Sequence, residues 1–171
     1  MIKAYRSNCE AISLSADGDL AHLSDDIVWI DLINPHRDEE KRVEALLGAE
    51  LPTREDLKDI EPSSRLYTED NNVFMTASLV WKADSSDPQL TDVAFILVGN
   101  RLVTIRYAEP KSFNLFIAAI TRTPHEIRSG AVLLLKLLET IVDRTAEIIE
   151  NTVVGIDHVA KGIFGGEARS K

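Results

Sequence analysis

The chain has 171 residues, 44% hydrophobic and 27% charged, the balance of a globular protein rather than a disordered one. Lys and Arg number 19 against 28 Asp and Glu, a formal net charge of −9; such a surface repels phosphate backbones, arguing against nucleic-acid binding and for cations or basic partners. No run reaches the ~18 apolar residues of a membrane span, Met1–Arg6 opens no apolar secretory segment, and Cys9, the one cysteine, makes neither a disulfide framework nor a thiolate zinc site. A soluble chain in a reducing compartment is expected. The charge is uneven: residues 1–90 carry −10 and residues 91–171 carry +1.

In chain order the first third reads β-β-β-α. A strand is expected over Asn8–Leu14, with Cys9 in it, and Asp17-Gly18 marks a turn. Ile27-Val28-Trp29-Ile30-Asp31-Leu32 is nearly continuous in apolar residues, as in a strand covered on both faces. Asn34-Pro35 then starts a helix: Asn34 offers a cap, Asp38, Glu39 and Glu40 complement the helix dipole, and Gly48 is the stop. A second, short helix follows, with Thr53 and Asp56 as a capping box and Glu61-Pro62 as its end.

The middle is β. Arg65–Thr68 and Val73–Trp81 flank Glu69-Asp70-Asn71-Asn72, and apolar residues on both faces of the second run place it inside a sheet. Val93–Val98 and Arg101–Tyr107 form a hairpin about Gly99-Asn100. From Ser112 the period turns helical, with Phe113, Phe116, Ile117 and Ile120 on one face and Thr123-Pro124 ending the helix. A second helix runs from about Ser129 to Ile163, roughly 50 Å long at 1.5 Å per residue. Its residues Leu135, Leu138, Val142, Thr145, Ile149, Thr152, Ile156, Val159 and Ile163 alternate three- and four-residue steps and are mostly apolar, a seam that wants another helix along its length. Gly162, Gly165 and Gly166 close it, and the expectation is one arm of a helical hairpin whose partner is missing.

Enzyme constellations are absent. There is no G-x-S-x-G, G-x-G-x-x-G, Walker loop or H-E-x-x-H, and His22, His36, His125 and His158 share no ligand spacing. Cys9 has no basic neighbour to activate it and reads as an inert buried thiol. Carboxylates are the remaining candidate chemistry: Glu55, Asp56, Asp59 and Glu61; Asp84 and Asp87, with Asp92 nearby; and a stripe of Glu139, Asp143, Glu147 and Glu150 on the long helix. Like charges four apart repel by a few tenths of a kcal/mol, which a cation or a basic partner would relieve. The plainer alternative is that these acids only face solvent.

Trp29-Ile30-Asp31-Leu32, then Asn34-Pro35 with its acidic helix, then Arg54-Glu55-Asp56-Leu57-Lys58-Asp59-Ile60 resemble the cytoplasmic N-terminal domain of CorA-type magnesium/cobalt transporters. Val73–Thr76 and Phe95–Thr104 resemble that family's paired strands, and Leu137–Asp143 its long helix. The resemblance covers essentially the whole chain in order, on packing patterns rather than one decisive motif.

The resemblance implies an α/β fold, an α/β/α sandwich with a mixed central sheet, over residues 1–128, with a projecting C-terminal helix over 129–171 as the first arm of a truncated hairpin. It implies homopentamers of identical subunits, at the cytoplasmic face of the inner membrane, whose membrane spans and Gly-Met-Asn signature are absent from this chain. It also implies regulatory divalent cations, Mg²⁺ with Co²⁺ or Zn²⁺ as alternatives, bound between neighbouring domains, with Asp84 and Glu139 or Asp143 as the matching acids. Their usual partner in the family lies beyond Lys171. The function so implied is cation sensing and gating rather than catalysis. The rivals are the zinc-transporting ZntB branch, a stand-alone module that docks a helix, and, third, an enzyme using an acid pair such as Asp56 and Asp59.

Overall fold

The computed structural model describes residues 1–14, 23–59, 61, 64–122, 127 and 129–166. Seven strands form one sheet: β1 (Ile2–Arg6), β2 (Ala11–Leu14), β3 (Ile27–Ile33), β4 (Leu66–Glu69), β5 (Asn72–Trp81), β6 (Gln89–Val98) and β7 (Arg101–Arg106), in the spatial order β2-β1-β3-β7-β6-β5-β4. Four helices accompany them: α1 (Arg37–Leu47), α2 (Arg54–Asp59), α3 (Lys111–Arg122) and α4 (Gly130–Gly166). Neighbouring strands run antiparallel except β3 and β7, which pair in parallel from Trp29 opposite Leu102 to Ile33 opposite Arg106. Two antiparallel sets are thus joined through one central parallel pair, the mixed α/β sheet expected from the sequence.

Helices cover both faces. Val43 of α1 and Leu57 of α2 pack with Ile30, Leu32, Ile96, Val103 and Ile105 on one side. On the other, Phe113 and Phe116 of α3 and Leu133, Leu137 and Ile141 of α4 pack on Trp29, Phe95 and Leu102. Every residue of β3 is buried, as its apolar run foretold. Trp29 lies in the middle, stacked on Tyr5 with centroids 4.3 Å apart and meeting Phe116 edge-on at 5.8 Å, geometries that suit aromatic quadrupoles.

Asp31 interrupts the apolar run and is fully buried. Its carboxylate accepts from Arg106 Nη2 at 2.8 Å and from the Thr104 hydroxyl at 2.7 Å, and Trp29 Nε1 donates to that same hydroxyl at 2.9 Å. Arg106 stands over the Phe113 ring at 4.6 Å. The parallel pair is therefore pinned by a satisfied buried ion pair, the condition under which buried charge is tolerated.

Several boundaries differ from expectation for local reasons. Cys9 is not in a strand: its φ of 67° and its N–H donating to Arg6 O at 2.8 Å put it in the turn before β2. α1 starts later than Asn34-Pro35, because Asn34 takes a left-handed φ of 45° and donates its N–H to Arg106 O. His36 is the N-cap residue, and Glu39 reaches back to accept from its N–H at 3.0 Å. Gly48, with φ 64°, ends α1 as expected, and Thr53 and Asp56 form the anticipated reciprocal cap of α2. The β4–β5 connection is tighter than expected, a two-residue turn in which Asp70 and Asn71 both have positive φ, the conformation that matches strand twist in hairpins. β6 begins at Gln89 rather than Val93, since pairing continues out to Trp81. α4 runs through Gly162 to Gly166. The expected turn at Asp17-Gly18 and stop at Thr123-Pro124 lie outside the described residues.

Candidate functional site

α4 presents two faces. Leu133, Leu134, Leu137, Ile141 and Arg144 are buried, at the spacing of one helical stripe, and this stripe covers the sheet. Beyond Arg144 no described residue of α4 is buried. The heptad seam falls on a different side: Leu135, Val142, Ile149, Ile156, Val159 and Ile163 are each 59–64% exposed. At 37 residues and 1.5 Å per residue the helix is about 55 Å long, so its distal half stands clear of the sheet with an apolar flank bare.

Gly130 sets where that helix begins. A Cβ there would collide with the backbone of Arg101 and Leu102, and the Gly130 N–H donates to Asn100 O at 2.8 Å. The β6–β7 hairpin turn and the start of α4 are in direct contact, an approach that only glycine permits.

The sequence-selected acids fall into two places. Glu139 and Asp143 lie one turn apart on α4 and line a groove of about 370 Å³ with Cys9, Phe116, Ile120 and Lys136. Both are exposed, and neither joins an ion pair among the described residues. Asp84 is elsewhere, in the β5–β6 connection. It accepts from Arg144 Nη2 at 2.7 Å and from Lys111 Nζ at 2.9 Å. Those two bonds, Lys111 first, hold its carboxyl below the usual aspartate range. Arg144 also pairs with Glu147 at 2.6 Å, while its Nε finds no acceptor among the described residues. Asp84 therefore does not share a cluster with Glu139 and Asp143; among the described residues no group of three or more His, Cys, Asp or Glu is placed to hold a metal.

The remaining acids are dispersed. Asp56 is occupied as the α2 cap, and the Thr53 hydroxyl and N–H lower its carboxyl. Asp87 accepts from Gln89, and Asp92 pairs with Arg65 at 3.7 Å. His36 caps α1 and His158 is exposed on α4; His22 and His125 lie outside the described residues. Sequence reasoning missed Lys111 and Arg144. Arg144 carried a signal, because it continues the 133-137-141 stripe where another apolar residue would be expected.

A family model described as "CorA-like Mg2+ transporter protein" matches residues 24–170. The chain belongs to that family. Magnesium transport protein CorA of Escherichia coli K12 is 32% identical over 139 residues, which cover 81% of this chain and 44% of that protein. The CorA of Wolinella succinogenes is 29% identical over 151 residues, 85% of this chain and 47% of that one. The chain spans about half the length of these curated relatives. Among solved structures, the soluble domain of CorA from Methanocaldococcus jannaschii superposes with a TM-score of 0.71 at 18% identity, covering 96% of this chain and 65% of that one. The ZntB cytoplasmic domain from Vibrio parahaemolyticus gives 0.58 at 17%, covering 91% and 64%. This CorA-like chain has the fold of those soluble domains, long helix included. Among its described residues no helix is long and apolar enough to cross a membrane.

Proposed function

We propose that this chain is the cytoplasmic cation-sensing domain of a CorA-type divalent-cation transporter, and that it gates a pore formed by parts of the protein not present in this sequence. The observation that carries the proposal is the bare seam of α4, six apolar positions each more than half exposed, on a chain of the CorA-like family. An exposed apolar stripe of this length at heptad spacing is the kind of surface that another helix covers. In the proposed assembly identical subunits, five by the family resemblance, place α4 beside neighbouring helices.

Regulation is assigned to Asp84, Glu139 and Asp143. Glu139 and Asp143 suit a hard cation: both offer carboxylate oxygens one turn apart, both face solvent, and Mg²⁺ keeps several of its waters, so that few protein ligands suffice. Carboxylates gathered where subunits meet repel one another. A divalent cation offsets that repulsion and favours the tight assembly, and its loss loosens it.

A thermal-shift and light-scattering series in Mg²⁺ tests the sensing role. Millimolar Mg²⁺ is expected to raise the melting temperature or the oligomer population, and the pair Glu139→Gln and Asp143→Asn to abolish the response. A response to neither Mg²⁺ nor Co²⁺ would refute cation sensing within this chain. A response to Zn²⁺ alone would favour the ZntB branch.

A further inference from the structure

β4 (Leu66–Glu69) closes one side of the sheet, and every one of its residues is exposed. Its pairing with β5 decides which of its backbone groups face outward. Thr76 donates its N–H to Arg65 O at 2.9 Å, one step beyond the pairing of Leu66 with Met75. Arg65 therefore turns its backbone groups toward β5, and by the alternation of an antiparallel ladder so do Tyr67 and Glu69. Leu66 and Thr68 turn theirs away from the sheet. Lys, Pro or a bulge is the usual protection of such an edge; β4 has none of them, and its register with β5 is regular.

The side chains alternate in the same way. Arg65, Tyr67 and Glu69 share one face, on which the Tyr67 ring stacks on Phe74 with centroids 4.8 Å apart. Arg65 holds Asp92 only loosely, at 3.7 Å.

We propose that β4 is a docking edge for β4 of a second copy of this chain, paired antiparallel about a two-fold axis at Tyr67. Hydrogen bonding fixes the register. The outward groups of Leu66 meet those of Thr68 in the second copy, and the reverse, so that Tyr67 faces Tyr67 and Arg65 faces Glu69. The sequence suits that pairing: opposite charges meet at both ends, and the aromatic rings meet at the close, non-hydrogen-bonded position, both stabilising cross-strand combinations. A slip of one residue would set outward backbone groups against inward ones and forfeit the bonds. The opposite sheet edge of another copy, β2 (Ala11–Leu14), has no charge to match Arg65 and Glu69.

This contact is separate from the helical seam, because α4 packs over β3, β6 and β7, and it does not rest on the cation-sensing reading. Where the seam builds an assembly, paired β4 edges join one assembly to the next. Four residues a side make an interface well below the roughly 1,200 Å² of stable complexes, so association is weak and concentration-dependent.

Sedimentation equilibrium over a concentration series and disulfide trapping, both on the 171-residue chain, test the inference. Tyr67→Cys brings a thiol against its own copy and is expected to cross-link to itself at least about fivefold faster than Leu66→Cys or Thr68→Cys, with Cys9 left in place throughout. Thr68→Pro removes an outward N–H that β5 does not use, a change edge strands tolerate; it should keep the melting temperature and lose the association. Glu69→Lys opposes like charges at both ends and is expected to weaken association about tenfold, and adding Arg65→Glu to restore most of it. Cross-linking of Tyr67→Cys no faster than at its neighbours overturns the inference. So does association that Thr68→Pro and Glu69→Lys both leave as in the parent, or a parent that stays monomeric at every concentration. None of these results touches cation sensing, which the Mg²⁺ response decides.

Discussion

At the scale of single residues, Asp31 is the most consequential polar group in the molecule. It sits at 0% exposure, in a strand otherwise apolar, and its partner Arg106 is 75 positions away. Removing one member of such a pair strands the other charge in the core. Asp31→Ala is therefore expected to cost about 3–5 kcal/mol in urea unfolding, whereas a joint change of Asp31 and Arg106 to apolar residues of similar volume should recover much of that loss. A single variant costing under ~1 kcal/mol would mean that water reaches the site. The partnership was not legible in the sequence. The run Ile27–Leu32 announced a doubly covered strand, but nothing along the chain says which distant cation faces Asp31, because that depends on the β3–β7 register. The same limit applied to Asp84: its acidity was evident, while Arg144 and Lys111 were brought to it by the packing of α4 and α3.

Among the elements, α4 shows how one helix can carry two apolar stripes of different purpose. The heptad steps from Leu135 onward were readable and fall on the exposed side. The stripe that actually docks, Leu133–Leu137–Ile141, is offset from it, and periodicity alone does not rank two overlapping stripes. Their energetic weights should differ sharply. Leu137→Ala empties a fully buried position and is expected to cost about 2–5 kcal/mol. Ile149→Ala and Ile156→Ala, both in the bare seam, should stay within about 0.5 kcal/mol in a dilute monomer. Chemical denaturation of the three variants decides it, and a large loss at Ile149 or Ile156 would show that the seam is already covered in solution. The shorter elements were legible where caps are local, as at Gly48 and Thr53, and missed where long-range bonds intervene, as at Asn34, whose N–H goes to Arg106.

For the molecule as a whole, stability should be graded outward from the central parallel pair. β3 and β7 are flanked on both sides by other strands and covered on both faces, whereas β4 is an edge strand with every residue exposed and the distal half of α4 touches no core. Amide exchange is accordingly expected to be slowest in Trp29–Leu32 and Val103–Ile105 and fastest in Leu66–Glu69 and beyond Glu150 of α4. Equal protection of distal α4 and β3 would contradict this gradient. The sheet order was the least readable property of the sequence: the strands and the hairpins were visible, but the decision to seat β7 beside β3 comes from matching buried faces across some 70 intervening residues.

That seating also constrains how the domain emerges from a ribosome. The first three strands are made early, yet β3 has no neighbour on its inner side until β7 has been synthesised, and the Trp29 face has no lid until α3 and the first turns of α4 follow. Pairings this distant along the chain form late because loop closure must precede them. The nascent N-terminal strands must therefore wait with greasy surface uncovered for most of the domain's translation, an interval in which chaperone protection matters most.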